Sequence, residues 1–306
     1  MRISNILFVL VPLVIIFSND LFAREISLSF DDAPKSSSVA MSGLERTKMI
    51  IKKLNETKVK RVAFYVNTKK LDRDDGLKRL KMYKNAGHLL GNHTHSHPNI
   101  RHIDTESYLE DFDRADELMK EHDILEKYFR YPYLRRGKTI EEVNKVHHYI
   151  SQKGYVDAYV TVDNYDWYMD SQYIKSLKEG REIDYQKLEE YYVETLYKGV
   201  LFYEELAKNA LNSNVKHVML LHENDLAALF IDSFIRKLRS KGWKIISPEE
   251  SYRDPMLGRF PRKLLNQGSG RVNALAVDRQ YQGLLRSGLE DEQTLDKIFK
   301  SYKITK

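Results

Sequence analysis

Short apolar runs of strand length alternate with amphipathic stretches of helix length through most of this chain, and polar clusters follow several of those runs directly. Ile26, Leu28 and Phe30 alternate with Ser27 and Ser29, a strand pattern. Helices are expected over residues 43–54 and 76–85, the second stopped by Gly87. Strands are expected over 61–66 and 88–91, then a helix over 105–122 with Thr105 as its N-cap. Residues 129–133 read as extended, because a residue before proline avoids the helical region. A helix over 139–153 ends at Gly154, and strands follow at 155–162 and 215–221. The pattern closes with a helix over 226–240 and a strand over 243–246, stopped by Pro248. Alternation at this pace requires parallel strands joined by crossover helices. An open sheet and a closed barrel both satisfy it, and both gather functional residues at the carboxyl ends of the strands.

Five polar clusters sit at such ends: Ser29-Phe30-Asp31-Asp32-Ala33-Pro34, His93-Thr94-His95-Ser96-His97, Arg130-Tyr131-Pro132-Tyr133, Asp166-Trp167 and Leu220-Leu221-His222. His93 and His97, four residues apart, can meet one ion, and Asp32 supplies a third ligand. Two imidazoles and a carboxylate suit a divalent ion such as zinc, and three protein ligands leave positions open, the catalytic arrangement. Asp31 and Asp32 point in different directions from a strand end. While Asp32 binds metal, Asp31 can face the attacking water as general base, with Arg130 keeping it ionised and oriented. His222 is the candidate acid and Asp166 the carboxylate that keeps it charged, with Asp163 a rival for that place. Trp167 and Leu220 are expected to line the substrate pocket. His95 points away from the metal, His88 and His102 are structural, and His147 and His148 lie on a helix surface. No His-Glu-x-x-His and no Gly-x-Ser-x-Gly occurs. Gly137-Lys138-Thr139 lacks the first glycine of a phosphate-binding loop, where Pro132 stands instead.

Taken in order, the five clusters resemble those of the polysaccharide deacetylases, the NodB-homology group of carbohydrate esterase family four, over roughly residues 25–250. That family's first motif reads Thr-Phe-Asp-Asp-Gly-Pro; Ser29 and Ala33 depart from it. His93, Thr94 and His97 match the second motif, Arg130, Pro132 and Tyr133 the third, Asp166-Trp167 the fourth, and Leu220 and His222 the fifth. The resemblance implies an α/β fold, a distorted (β/α) barrel, and one divalent metal, zinc by the donor set. It also implies an oxyanion contact from the backbone N–H of Tyr133 and an N-acetylated glycan substrate.

The division expected is a signal peptide at 1–23, a catalytic domain at 24–252 and a C-terminal extension at 253–306 packed on the barrel without contributing a catalytic group. Arg2, the apolar run 6–17, and Leu21-Phe22-Ala23 before Arg24 have the layout of a secretory signal. The run is short for a bilayer span, which needs about 20 residues, and no span is expected after cleavage. Residues 170–213 read as a helical insertion. Tyr191, Tyr192, Tyr197 and Tyr203 there are expected to pack on the barrel; the other reading is a sugar-stacking wall. Gln267-Gly268-Ser269-Gly270 reads as a flexible link and 290–302 as a short charged helix. The chain has no cysteine, which excludes disulfides and thiol catalysis. The net charge of +6 fits ordinary solvated faces, and no basic run interleaved with aromatics suggests nucleic acid.

The expected function is removal of acetyl groups from N-acetylated sugars of a cell-envelope glycan by an exported, periplasmic or secreted enzyme. Family habit points to the N-acetylglucosamine of peptidoglycan. A lipid-linked sugar or an O-acetylated exopolysaccharide would use the same chemistry. A third reading is a glycan-binding protein with an inactive site. It follows if position 33 requires positive φ, where alanine costs on the order of 1 kcal/mol. The oligomeric state is not legible.

Overall fold

The computed structural model describes residues 24–265 and 267–306. The expected signal segment, 1–23, lies outside them. The elements are β1 (Arg24–Ala33), α1 (Gly43–Glu56), β2 (Ala63–Val66), α2 (Gly76–Asn85), β3 (Leu89–Asn92), α3 (Thr105–Glu121), β4 (Tyr128–Phe129), α4 (Ile140–Gln152), β5 (Val156–Asp157), α5 (Asp166–Lys178), α6 (Tyr185–Leu206), β6 (His217–His222), α7 (Asp225–Ser240), β7 (Trp243–Ile245), α8 (Pro248–Ser251), α9 (Arg271–Asp278) and α10 (Glu292–Ser301).

The strands run in the order β5-β4-β3-β2-β1-β6, every neighbouring pair parallel, and β7 pairs with the first residues of β1. The sheet curls until the chain beyond β5 meets β6. Val162 bridges Met219, Thr161 donates its N–H to Val218 O at 3.0 Å, and Leu220 N–H donates to Val162 O at 3.0 Å. The architecture is therefore the distorted (β/α) barrel expected. β1 is buried on both faces along nearly its whole length, as a central parallel strand should be. Its serines face polar groups inside the curl; Ser29 Oγ donates to Met219 O at 2.8 Å.

Helices form where the sequence caps them. Ser42 and Glu45 make a reciprocal capping box at α1, and Asn224 caps α7 by accepting from Ala227 N–H at 2.8 Å. Each such cap contributes about 1 kcal/mol. At α3 the cap is Asp104, which accepts from Ser107 N–H at 2.8 Å, not Thr105; the shorter-reaching Thr105 is the first helical residue instead. An expected extended stretch and an expected strand are both shorter than read. Only Tyr128–Phe129 is regular before a tight turn at Pro132–Leu134, and only Val156–Asp157 is regular in the stretch read as 155–162. The chain leaves the ladder there to cross the barrel mouth toward β6.

The insertion is α5, α6 and a π-helical turn, Ala207–Leu211. Tyr191, Tyr192, Tyr197 and Tyr203 are all buried in the main core, so they pack on the barrel and form no sugar-stacking wall. The extension after β7 contributes Leu257, Val272, Ala276, Leu295 and Phe299 to the same core. Its glycine-rich stretch is held, not loose. A Cβ at Gly268 would lie 1.8 Å from the carbonyl oxygen of Tyr133, and one at Gly270 would lie 2.9 Å from that of Val160. These glycines permit close backbone approach. His147 stacks on Phe260 of the extension at 3.9 Å between ring centroids, so it is half-buried rather than a surface residue. No helix among the described residues is long and apolar enough to cross a membrane.

Candidate active site

The β1–β6 register pairs Asp31 directly with His222, so the two proton-transfer candidates end adjacent strands. One residue on, Asp32 turns into the left-handed region at φ 65°. That conformation is uncommon for a side chain other than glycine and sends the neighbouring carboxylates apart. The positive φ falls on Asp32, and Ala33 continues β1 opposite Val66. The motive for an inactive site at position 33 is thereby removed. Positive φ recurs at Thr94, His97, Tyr133 and Leu134, and such strain gathers at functional sites.

One ligand atom each from Asp32, His93 and His97 lies within 4.8 Å of the others. His97 Nε2 is 3.5 Å and His93 Nε2 4.0 Å from Asp32 Oδ1. The carbonyl of Arg130, 2.7 Å from His93 Nδ1, can only accept. Nδ1 therefore carries the proton and Nε2 presents its lone pair, the orientation that ligating histidines need. Burial lowers the pKa of His93 and of His97 to about 4, with further lowering of His97 by His93, so both rings are neutral near pH 7. Burial works against the charge on Asp32, yet His97, His222 and Lys70 hold its carboxyl below the usual range. A carboxylate and two neutral imidazoles are the protonation states a divalent ion requires, and the donor set fits one.

Asp31 is almost fully buried and grips Arg130, whose Nη1 donates to Oδ1 at 2.8 Å and to Oδ2 at 3.1 Å. Burial raises the Asp31 pKa against the opposing pull of Arg130 and His222. Arg130 is fixed in turn. It donates to Ser29 Oγ at 3.0 Å, to Tyr252 Oη at 3.3 Å and to Ala158 O at 2.5 Å, and its guanidinium lies 4.3 Å over the Tyr65 ring.

Across the cleft, Asp166 Oδ1 is 2.6 Å from His222 Nδ1. Its Oδ2 accepts the His222 backbone N–H at 2.8 Å and Asn224 Nδ2 at 3.0 Å. Burial opposes a charge on His222, but Asp166 first, then Asp32 and Asp31, outweigh it and push the pKa up to about 9. Asp163, the rival, instead accepts from Asn164 N–H at 2.8 Å and faces Arg286 at 3.9 Å.

The cleft holding these groups has a volume of about 600 Å³. Leu220 and Trp167 line it, Leu220 buried and Trp167 36 % exposed. The exposed Tyr133 ring tilts over His97 at 4.5 Å between centroids. His95 bonds Thr68 Oγ1 at 2.9 Å and His88 is buried near Phe64, both apart from the ligand cluster.

Three features escaped the sequence reading. The extension enters the cleft wall through Gln267, Gly268 and Arg286. Tyr65 and Tyr252, joined Oη to Oη at 2.6 Å, buttress Arg130. Behind His222, Glu223 receives Arg79 Nη2 at 2.8 and 2.9 Å, and Asp225 receives Arg46 Nε at 2.6 Å, all four side chains buried. Arg46 also donates to Lys35 O and Ser36 O, tying the loop after Asp32 to the loop after His222. The only sequence signal was Glu223-Asn224-Asp225, an acidic helix start like many others.

Comparisons with known proteins bear on the family likeness and the fold. A family model described as polysaccharide deacetylase matches residues 19–150. A peptidoglycan-N-acetylglucosamine deacetylase of Bacillus cereus is 28 % identical over 152 residues. That match covers 49 % of this chain and 49 % of the relative, so the chain spans about half the length of the curated relative it matches. Among solved structures, a peptidoglycan N-acetylglucosamine deacetylase with a bound hydroxybenzamide derivative superposes with a TM-score of 0.52 at 20 % identity, covering 75 % of this chain and 88 % of that one. A deacetylase solved with substrate gives 0.50 at 19 % identity over 76 % and 92 %. A carbohydrate esterase family four pseudoenzyme of Bacillus anthracis gives 0.51 at 17 % identity over 80 % and 68 %. These structures share the fold.

Proposed function

We propose that this chain, which a polysaccharide deacetylase family model matches over residues 19–150, is a metal-dependent hydrolase that removes acetyl groups from the N-acetylated sugars of a cell-envelope glycan, with the N-acetylglucosamine of peptidoglycan as substrate. The observation that carries it is the pairing of Asp31 with His222 on adjacent strand ends beside the Asp32–His93–His97 cluster. A base and an acid thus flank one ligand set. The name of the Bacillus cereus relative supports the sugar and an exported, periplasmic or secreted location.

Asp32, His93 and His97 would hold the ion, zinc by its liking for this donor set. When bound, it supplies Lewis acidity and a lowered pKa for water. Asp31, ionised beside Arg130, takes the proton from the water that attacks the acetyl carbonyl carbon. The new C–O bond turns that carbon tetrahedral, and the backbone N–H of Tyr133 donates to its oxyanion. His222, charged by Asp166, gives its proton to the sugar nitrogen as the C–N bond breaks. Acetate and the free amine leave. Trp167 and Leu220 close around the acetyl methyl and exclude bulkier acyl groups.

The test measures acetate release from chitin oligomers and from peptidoglycan, together with the metal content of the purified protein. Acetate from either N-acetylated substrate, lost on chelation and restored by zinc, is the expected result. A zinc-loaded protein that releases none would refute the activity. Release from O-acetylated glycan alone would move the substrate to an ester.

A further inference from the structure

We infer that the cleft recognises an anionic substituent beside the acetylated sugar, a carboxylate or a phosphate, through Arg135 and Arg136. The inference rests on the glycan deacetylase reading and adds a substrate class to it.

The cleft does not stop at Tyr133. Leu134, Arg135 and Gln267 line both the metal-site cleft and a narrow groove of about 30 Å³ that continues to Arg136 and Lys263. The other cations near the site have partners. Arg130 holds Asp31, Arg286 Nε meets Glu290 at 2.9 Å, and Lys70 donates to the Asp32 carbonyl at 3.4 Å. Among the described residues no carboxylate lies within 4.0 Å of Arg135 or Arg136. The nearby Asp157 is taken by Arg271 at 2.5 Å. Arg135 is only partly exposed, and its Nε is buried without a hydrogen-bond partner.

A partly desolvated guanidinium without a counter-charge is unfavourable in the free protein. Its planar fork matches carboxylate and phosphate oxygens in pairs. The position is also informative. Arg135 lies 6.0 Å from the centroid of the Tyr133 ring, and that ring packs on the ligand His97. With an acetyl group at the metal ligands, a neighbouring sugar that runs along the Tyr133 wall would turn its substituents toward Arg135. Arg136 and Lys263 extend the same positive wall beyond it.

The test uses three oligomers of equal length: neutral chitotetraose, a carboxymethylated form and a form carrying phosphate monoesters. The wild-type protein is expected to show higher kcat/KM for at least one anionic form, and the form preferred identifies the anion. The ratio of anionic to neutral kcat/KM should fall about tenfold in R135Q and further in R135Q/R136Q, the scale of a lost charge-assisted hydrogen bond. R135K and R136K keep the charge and should retain part of the ratio, which separates recognition from damage to the fold. Calorimetry with the same oligomers reads the inference apart from turnover. Preferential binding of an anionic oligomer, reduced in R135Q/R136Q, supports it whether or not acetate is released. Equal binding of neutral and anionic oligomers, or a preference unchanged in the double variant, overturns it even if the protein proves to be a deacetylase.

Discussion

The carboxylate of Asp166 sets the protonation of His222, and D166N should expose this as a pH-dependent defect. His222 moves from an ordinary value of 6.5 to about 9, with Asp166 the largest favourable contributor and burial the largest opposing one. That displacement is worth roughly 3 kcal/mol. The pKa is raised in the folded protein, so this contribution to stability is complete below about pH 6.5 and is lost as pH rises through about 9. The acid role proposed for His222 needs the protonated ring. At pH 8 a pKa of 9 leaves roughly 90 % of His222 charged, whereas a return to 6.5 leaves roughly 3 %. Without Asp166, burial is opposed only by the weaker pull of Asp32 and Asp31, so the pKa falls toward its ordinary value. A full return to 6.5 would cost D166N about thirtyfold in rate at pH 8 from protonation alone, and much less at pH 6. The assay is acetate release against pH for wild type and variant, with zinc content measured on both. The basic limb should move down from near pH 9 toward pH 6.5. Asn also turns an amide N–H toward the His222 and Asn224 donors that Oδ2 now accepts, so a uniform loss will overlie the shift. Profiles that stay parallel across the whole range would refute the reasoning, because Asp166 would then act only by position.

His93→Ala should strip metal and activity together, and full zinc occupancy in that variant would remove His93 from the ligand set. Asp31→Asn should keep its metal yet lose roughly 10²–10⁴ in rate, the usual scale for a general base; near-normal turnover would exclude the role. Arg79→Ala removes the counter-charge of the fully buried Glu223, leaving only the neutral donors Tyr83, Thr47 and the Lys35 N–H, and should cost about 3–5 kcal/mol in urea unfolding. A change within a few tenths of a kcal/mol would show that the carboxylate finds another partner.

Legibility followed chemistry that is local in sequence. The candidate ligand pair His93 and His97 sits in one turn, Asp31 and Asp32 are adjacent, and every cluster but Asp166-Trp167, which opens α5, abuts an apolar run that the sheet buries. Strand and cluster could therefore be read together. The alternation was clear where strands pair over several residues, as in β1 and β6, and failed where pairing is brief. Beyond β5 the backbone follows the barrel mouth, and neither its periodicity nor its composition marks where hydrogen bonding stops. The support of the site was illegible for a different reason. Arg79 and Glu223 lie 144 positions apart, and Arg46 and Asp225 lie 179 apart. Each looks alone like one more charged residue on a helix or at its start. Their burial follows only from the closing of the barrel, which brings α1, α2 and the start of α7 together. Gly268 is the sharpest case. Within Gln267-Gly268-Ser269-Gly270 a glycine-rich stretch reads as a loose tether, because flexibility is what glycine adds to an unfolded chain. In the folded chain, the missing Cβ lets the extension lie against the Tyr133 carbonyl. That contact brings Gln267 and Gly268 into the cleft wall, which Arg286 of the same extension also lines.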